Sequence, residues 1–372
     1  MSFVIISMLL FILAVVEDRQ LFKISFFFIT LFNVSTFAYG YDWMNYYDTF
    51  LGVQTGTADT FFTEPGYLFL MQVANYIGLN FAQFSGCITL LMYIAIYSFC
   101  KKMNNPNLAF FTLYSSLSFF MFTEQIRQGL ALCILLFGVS NLYRGNVTRF
   151  FIIVIIACFF HISAIIAFLF LFIRGASEKG MYKFTIAASV FVIALLYSLY
   201  HPDLFSAIPL VGPKIAAYAR LSEEKDVGFW QYVLSSRLVF IFLFLYFFLL
   251  ILRRREKNLY AGVGSVLVLF LSRLSPYLVR VGYYFVPYLV ISVDKYMSSQ
   301  GKGVYSKLNK LIYISVIFMV STIPAWNPVY WEGSKTFLTI TSNTADINKE
   351  IFRKCKILKE NYDHIVIMQC LR

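Results

Sequence analysis

From Leu238 to Leu252 the chain reads LVFIFLFLYFFLLIL, without a charge or an amide. A soluble fold has little use for such a run, and further apolar runs occupy 3–16, 21–38, 83–100, 107–122, 126–143, 150–173, 182–200, 259–272, 281–293 and 311–326. Only 13% of the 372 residues are charged, about half the share of an average soluble domain, and mean hydropathy is +0.71. So few charges cannot cover a water-facing surface of this size. The chain is therefore an integral membrane protein. Its 42 Phe and 26 Tyr lie in continuous runs rather than in alternating segments with a polar face, which excludes a transmembrane barrel. The expected fold class is all-α, a polytopic transmembrane helical bundle with about 11–12 membrane segments, some short or re-entrant, and periplasmic loops.

A formal net charge of +12 would point to nucleic acid in a soluble protein. Here the positions of the charges decide otherwise. Basic connectors at 19–23, 101–102, 144–149, 174–183, 253–257 and 295–310 hold more than half of the 31 Lys and Arg, which places them on the cytoplasmic side; no nucleic-acid partner is expected. Parity then turns 39–66 and 201–236 outward, together with both termini. The 39–66 loop carries Asp42, Asp48, Asp59 and Glu64 and no Lys or Arg. Residues 67–79 are expected to lie at the interface as a weakly amphipathic helix. The 24 residues from Phe150 to Ile173 satisfy the charge pattern only as a broken or re-entrant pair turning near His161. Met1 to Val16 lacks a basic start and an Ala-x-Ala exit, and is read as a span rather than a signal peptide. The chain thus divides into a transmembrane catalytic bundle, 1–326, with its two large loops, and a periplasmic C-terminal tail, 327–372. Cys87, Cys100, Cys133 and Cys158 fall in spans and read as packing residues. Cys355 and Cys370 share the tail, where either a disulfide or two free thiols is open.

Ionisable side chains at membrane depth are costly without a partner or a task. Glu124, Arg127, His161, Arg237, Arg273 and Arg280, with Asp42 and Glu64 at the entrance, all map to the outer half of the bundle. Several arginines around a cavity suit a phosphate or diphosphate, because guanidinium stays charged when desolvated and offers a planar fork of donors. The alternative is that each pairs with a carboxylate or reaches the interface, the reading preferred for Arg237 at its span start. Arg280 follows Arg273 by seven residues with Pro276 between them, so a straight helix there is excluded and the break is expected to line a cavity or be buried in protein. His161 is a candidate base or phosphate ligand, or a histidine bonded within its own turn. Asp42 and Glu64 are catalytic candidates, for accepting hydrogen bonds from sugar hydroxyls and removing a proton, with helix capping the alternative for Asp42. Trp43, Tyr46 and Tyr47 are candidate sugar-stacking rings, or interfacial anchors. No Walker loop, nucleophile elbow, dinucleotide fingerprint or metal-ligand spacing occurs, so neither a cofactor nor a metal is expected.

The segments YGYDWMNYY (39–47), EPGY (64–67), IRQGLA (126–131), FFHISA (159–164) and RVGYYF (280–285), in this order among matching spans, resemble the EpsG family, which includes Wzy-type polymerases of O-antigen and other surface polysaccharides. The similarity runs from the first span to about Asp294. It implies a membrane glycosyltransferase of the bacterial inner membrane, multi-pass, with its active site facing the periplasm. The implied reaction transfers a growing glycan from undecaprenyl diphosphate to the non-reducing end of a new lipid-linked repeat unit. The implied partners are the undecaprenyl-diphosphate-linked oligosaccharide donor and acceptor, the lipid bilayer and a chain-length regulator protein. Carried onto this chain, the resemblance places Arg127, His161 and Arg280 at the reaction centre, with Arg273 and Tyr283 also expected at the diphosphate. Asp42 and Glu64 would lie at the sugar-binding mouth. Many relatives have an arginine where this chain has Thr36. A lipid-linked oligosaccharide flippase is the first rival, but it should show two homologous halves, and no internal repeat is visible. A ligase sharing this chemistry is the second, set aside by the resemblance alone.

Overall fold

The computed structural model describes residues 2–57, 63–173, 177–205, 212, 216, 229–253, 259–275, 278–300, 303–362 and 367–371. Asp59, Arg174, Pro276, the basic stretch 254–257 and most of the 201–236 loop lie outside the described residues. The fold is all-α, as expected, with one two-stranded sheet among the described residues. Four helices are long and apolar enough to cross a membrane: Phe81–Cys100, Ile126–Tyr143, Glu178–Ser198 and Val304–Ser321. The chain forms two compact units, Met1–Ile165 with Ile317–Arg372, and Ile166–Val316.

In the first unit, α1 (Ser2–Val16) and α2 (Arg19–Ser35) meet at a sharp turn. Glu17 adopts a left-handed φ of 59°, and Asp18 caps α2 by accepting from Gln20 N–H (2.6 Å) and Leu21 N–H (3.0 Å). A short helix, α3 (Trp43–Thr55), forms inside the outer loop, where only a loop was expected. A helix forms near the expected 67–79 as α4 (Pro65–Tyr76), with Tyr67, Met71 and Ala74 buried one turn apart. Next come α5 (Phe81–Cys100), opened by an Asn80–Gln83 capping box, and α6 (Pro106–Phe119), opened by Asn105 and Pro106. Every residue of α6 is buried, so this helix is the axis of the unit. By contrast α1 exposes Ile5, Met8, Leu9 and Ile12, an apolar face suited to lipid. A π turn, 120–124, leads into α7 (Ile126–Tyr143), and α8 (Val147–Cys158) packs along α7. The run 150–173 breaks at 159–161, beside His161, and resumes as a 3-10 turn.

In the second unit, α9 (Phe170–Ile173) precedes α10 (Glu178–Tyr200), capped by Ser177. After α11 (Phe229–Ser235), α12 (Arg237–Leu252) packs on α13 (Tyr260–Ser272). The expected span 281–293 is corrected: it splits into α14 (Val279–Gly282), a 3-10 turn at Tyr283–Phe285, and α15 (Val286–Ser299). Pro287, in the first turn of α15, explains the split, since proline is tolerated there and not in a helix interior. Then α16 (Val304–Ser321) runs from this unit back into the first.

The C-terminal tail is folded onto the first unit. Strand β1 (Thr36–Phe37) pairs antiparallel with β2 (Leu338–Thr339), in the register Thr36↔Thr339 and Phe37↔Leu338. Between them in space, Tyr39 stacks on Phe337 at 5.3 Å. Beyond α17 (Pro328–Gly333) and β2 comes the amphipathic α18 (Thr344–Asn361), opened by an Asn343–Asp346 capping box. Cys355 and Cys370 form a disulfide that folds α19 (Met368–Leu371) back. Gln369 Nε2 there donates to Asp48 Oδ1 on α3 (2.8 Å).

Candidate functional site

The first cluster is built where α3, α4, α7 and the 159–161 break meet. Pro65 starts α4 and leaves Glu64 at its cap position, making no cap bond with its side chain. The carboxylate turns instead to Arg127, in the first turn of α7: Nη1 to Oε2 is 2.6 Å, with Glu64 buried and Arg127 25% exposed. The guanidinium also lies 5.4 Å from the Tyr46 ring centre, and Tyr46 in turn packs on Tyr67. One backbone bond brings in the histidine turn: Gly66 N–H donates to Phe159 O (2.8 Å). Any Cβ at Gly66 would stand 2.8 Å from that same oxygen, so the EPGY segment needs glycine for this approach. Glu64 is two residues before this bond and His161 two residues after it.

His161 is half-buried, and its Nδ1 faces Ser163: the Oγ is 2.7 Å away, and the Ser163 N–H donates at 3.3 Å. A backbone N–H can only donate, so Nδ1 accepts and the neutral ring carries its proton on Nε2. That arrangement suits donation to an anionic oxygen. Ser163 was missed in the sequence, although the FFHISA segment contains it.

Asp42 occupies the position that caps α3, yet its side chain makes no cap hydrogen bond, which removes the capping alternative. It is half-buried. The stacking expectation for Trp43, Tyr46 and Tyr47 needs correction. Trp43 is 1% exposed, donates Nε1–H to Gly40 O (3.0 Å) and meets Phe37 edge-on; Tyr47 packs on Phe81. With Tyr46 committed to Arg127, all three rings are buried and present no open face to a sugar. The β1–β2 pair buries this loop, a long-range event that local aromatic spacing does not announce.

The second cluster lies in the second unit. Arg273 ends α13 as its C-cap and is 3% exposed. It sits against two rings, Tyr283 at 4.8 Å and Phe242 at 5.6 Å. Among the described residues no carboxylate pairs with it, and its buried Nε and Nη2 have no hydrogen-bond acceptor. Arg280, on α14, is half-buried, and Tyr283 follows it within one turn. Arg237, at the start of α12, is exposed. The structure therefore unites Glu64, Arg127, Tyr46 and the His161 turn in one unit, and Arg273 with Tyr283 in the other.

All of these side chains lie within one continuous stretch of the chain. A model of the EpsG family matches residues 21–333. The chain belongs to the EpsG family. Membership places it among transmembrane proteins of polysaccharide biosynthesis with a polymerase-like role. No curated protein and no solved structure matches the chain. The EpsG match contains every candidate residue named above, whereas α18 and α19 lie beyond it. Buried charges outside the expected site also emerge, among them Glu124 in the π turn and Lys354 on α18. Glu124 stood among the membrane-depth ionisable residues; Lys354 gave no signal, because a lysine on an amphipathic helix reads as a solvated charge.

Proposed function

We propose that this EpsG-family protein is a membrane glycosyltransferase that polymerises undecaprenyl-diphosphate-linked repeat units into O-antigen or a related surface polysaccharide, on the periplasmic face of a bacterial inner membrane. The bond between the donor sugar C1 and the diphosphate oxygen breaks. A new glycosidic bond forms from that C1 to a hydroxyl at the non-reducing end of the incoming unit. The hydroxyl proton passes to a base, and undecaprenyl diphosphate leaves with the negative charge.

The observation that carries this reading is Arg273, a buried guanidinium with no carboxylate among the described residues and unsatisfied donors between two rings. Such a charge is costly unless an anion completes it. A diphosphate supplies acceptor oxygens, and fixed guanidinium charge in a water-poor setting stabilises a leaving group without help from a metal ion. Arg280 and Tyr283 belong with it. Asp42, in the first unit, is the carboxylate assigned to orient an acceptor hydroxyl and take its proton. Glu64 holds Arg127 in place, and His161 Nε2–H donates to a phosphate oxygen; both substrates carry a diphosphate.

The test is incubation of the purified protein in liposomes with defined lipid-diphosphate repeat units, with and without a chelator, followed by gel separation of the glycans. A ladder of regularly increasing length, unchanged by the chelator, is expected. Single repeat units alone, or lipid-linked glycan moved across the bilayer without lengthening, would overturn the reading.

A further inference from the structure

The residues just before Asp42 are gripped from two sides by buried charge. On one side is Glu124, 4% exposed: its Oε2 accepts from Tyr41 N–H (2.9 Å) and Asp42 N–H (3.3 Å). Gly40 passes so close that a Cβ there would fall on the carboxylate. On the other side is Lys354, whose side chain is 0% exposed. Its Nζ donates to Tyr39 O (2.8 Å) and to Gly333 O, and lies 5.2 Å from the Tyr41 ring centre. Tyr41 OH donates to Val329 O (2.7 Å), so one segment, 39–42, is tied both to the π turn and to the tail.

The tail side of this grip is itself braced. Glu350 Oε1 stands 3.6 Å from Lys354 Nζ and accepts from Arg353 Nη2 (2.8 Å) and Thr336 Oγ1 (2.7 Å). Arg353 also donates to Glu332 O and Gly333 O. The Cys355–Cys370 disulfide then closes α18 onto α19, which reaches Asp48. Apolar contacts would dock a tail at less cost than a desolvated ammonium and a desolvated carboxylate, each of which loses several kcal/mol of hydration. Both charges are directed at main-chain groups within 39–42, those of Tyr39, Tyr41 and Asp42. Burial and the neighbouring Asp42 push the Glu124 carboxyl up, while burial pushes the Lys354 ammonium down, the expected signs for groups held out of water.

We propose that Glu124 and Lys354 are positioning residues: a two-sided clamp on residues 39–42 that aims Asp42 at the acceptor sugar hydroxyl, with the disulfide-closed tail as its outer jaw. This rests on the polymerase reading above. The clamp holds main-chain groups of 39–42 and lies against the Tyr41 ring, so it acts through Asp42 and not on substrate.

The experiment combines the liposome polymerisation assay with hydrogen exchange of peptides covering 39–43. Glu124→Ala and Lys354→Met should each lower kcat, by about 100-fold and about 10-fold respectively, with acceptor KM changed less than about threefold, as a small misplacement of a reacting group predicts. Exchange of the 39–43 amides should rise in both. Glu124→Gln keeps an oxygen for both N–H groups and should restore most of the rate. Should Glu124→Ala fail to fold, Lys354→Met and Tyr41→Phe, which loses only the bond to Val329, carry the same comparison. Faster exchange at 39–43 with an unchanged kcat would make the clamp merely structural and overturn the proposal. So would a Gln variant as slow as the Ala variant. A wild-type protein that makes no polymer overturns the polymerase reading instead, a result separable from these because exchange still reports whether the clamp holds.

Discussion

Arg127 and Arg273 look alike in the sequence, each a lone guanidinium at the end of an apolar run, yet the fold completes them differently. Arg127 is a quarter exposed and bonded to Glu64 at 2.6 Å. Arg273 is 3% exposed and rests on aromatic rings, with no carboxylate partner among the described residues. In the Glu64–Arg127 pair the carboxylate offsets the charge of the guanidinium. A guanidinium held by ring quadrupoles keeps its full charge and its hydrogen-bond donors. The difference separates an arginine that holds its own surroundings together from one that awaits a ligand.

The largest expected effect breaks that comparison directly. Arg273→Ala should reduce polymerisation by about 100- to 1000-fold, the cost of removing a charge-stabilising donor from a reaction centre. Arg273→Lys should recover little, because an ammonium lacks the planar fork. Arg127→Ala should cost less in rate than Arg273→Ala, measured in the same assay; the reverse order would exchange the roles of the two arginines. Next in size, His161→Ala should lower kcat by about 100-fold, the cost of removing one hydrogen-bond donor from a developing negative charge. Ser163→Ala should lower it only several-fold, since the backbone N–H of residue 163 still faces Nδ1.

What the sequence discloses here depends on the range of the interaction. The helical bundle, the helix at Pro65–Tyr76 and the interruption beside His161 follow from hydropathy and charge along the chain, which local geometry obeys. Arg273 was legible as a charge in an apolar run with no acid between Tyr260 and Val293, whereas the Tyr283 ring against it was not. The Glu64–Arg127 bond was not, since 63 residues separate its partners and either could have served a ligand. Lys354 was hidden for a further reason: two of its partners are the carbonyls of Tyr39 and Gly333, and every residue has a carbonyl. With Glu350 and Arg353 beside it, it reads as an ordinary surface ladder. Trp43 misled in the opposite sense, as an aromatic at a membrane boundary that the β1–β2 pairing turns inward.

The comparison is sharpened by stability rather than rate in the Glu64–Arg127 pair. Removing one partner of a fully buried pair costs about 3–5 kcal/mol. With Arg127 partly exposed, solvent screening reduces the expected loss for Arg127→Met to about 2 kcal/mol. The double variant Glu64→Gln with Arg127→Met should be more stable than the sum of the single variants predicts, read as thermal unfolding in detergent. Arg273→Met should behave in the opposite way. It removes a buried charge that leaves no carboxylate stranded, so unfolding should shift little or upward while activity is lost. Destabilisation by Arg273→Met as large as that by Arg127→Met would mean that both arginines are structural.

The smallest effect concerns the tail, where charge is paired as thoroughly as at Glu64. Burial raises the Glu350 carboxyl, but bonds from Arg353 and Thr336 and the nearby Lys354 outweigh it and hold it below its ordinary value of 4.5. A carboxyl depressed in the folded state adds stability that is complete above the ordinary value and is lost as pH falls through the folded value. Docking of α18 should therefore be insensitive to pH between 7 and about 5 as far as Glu350 is concerned, and weaken in stronger acid. Hydrogen exchange of the 344–361 peptides should accelerate below about pH 4 in the wild type. Glu350→Gln should exchange faster than wild type at neutral pH and show a flatter acid response, because the group that titrates is gone while Arg353 loses its charged partner. An acid response equal in both proteins would place the sensitive carboxyl elsewhere in the tail, with Glu332 and Glu360 as the remaining paired acids among the described residues.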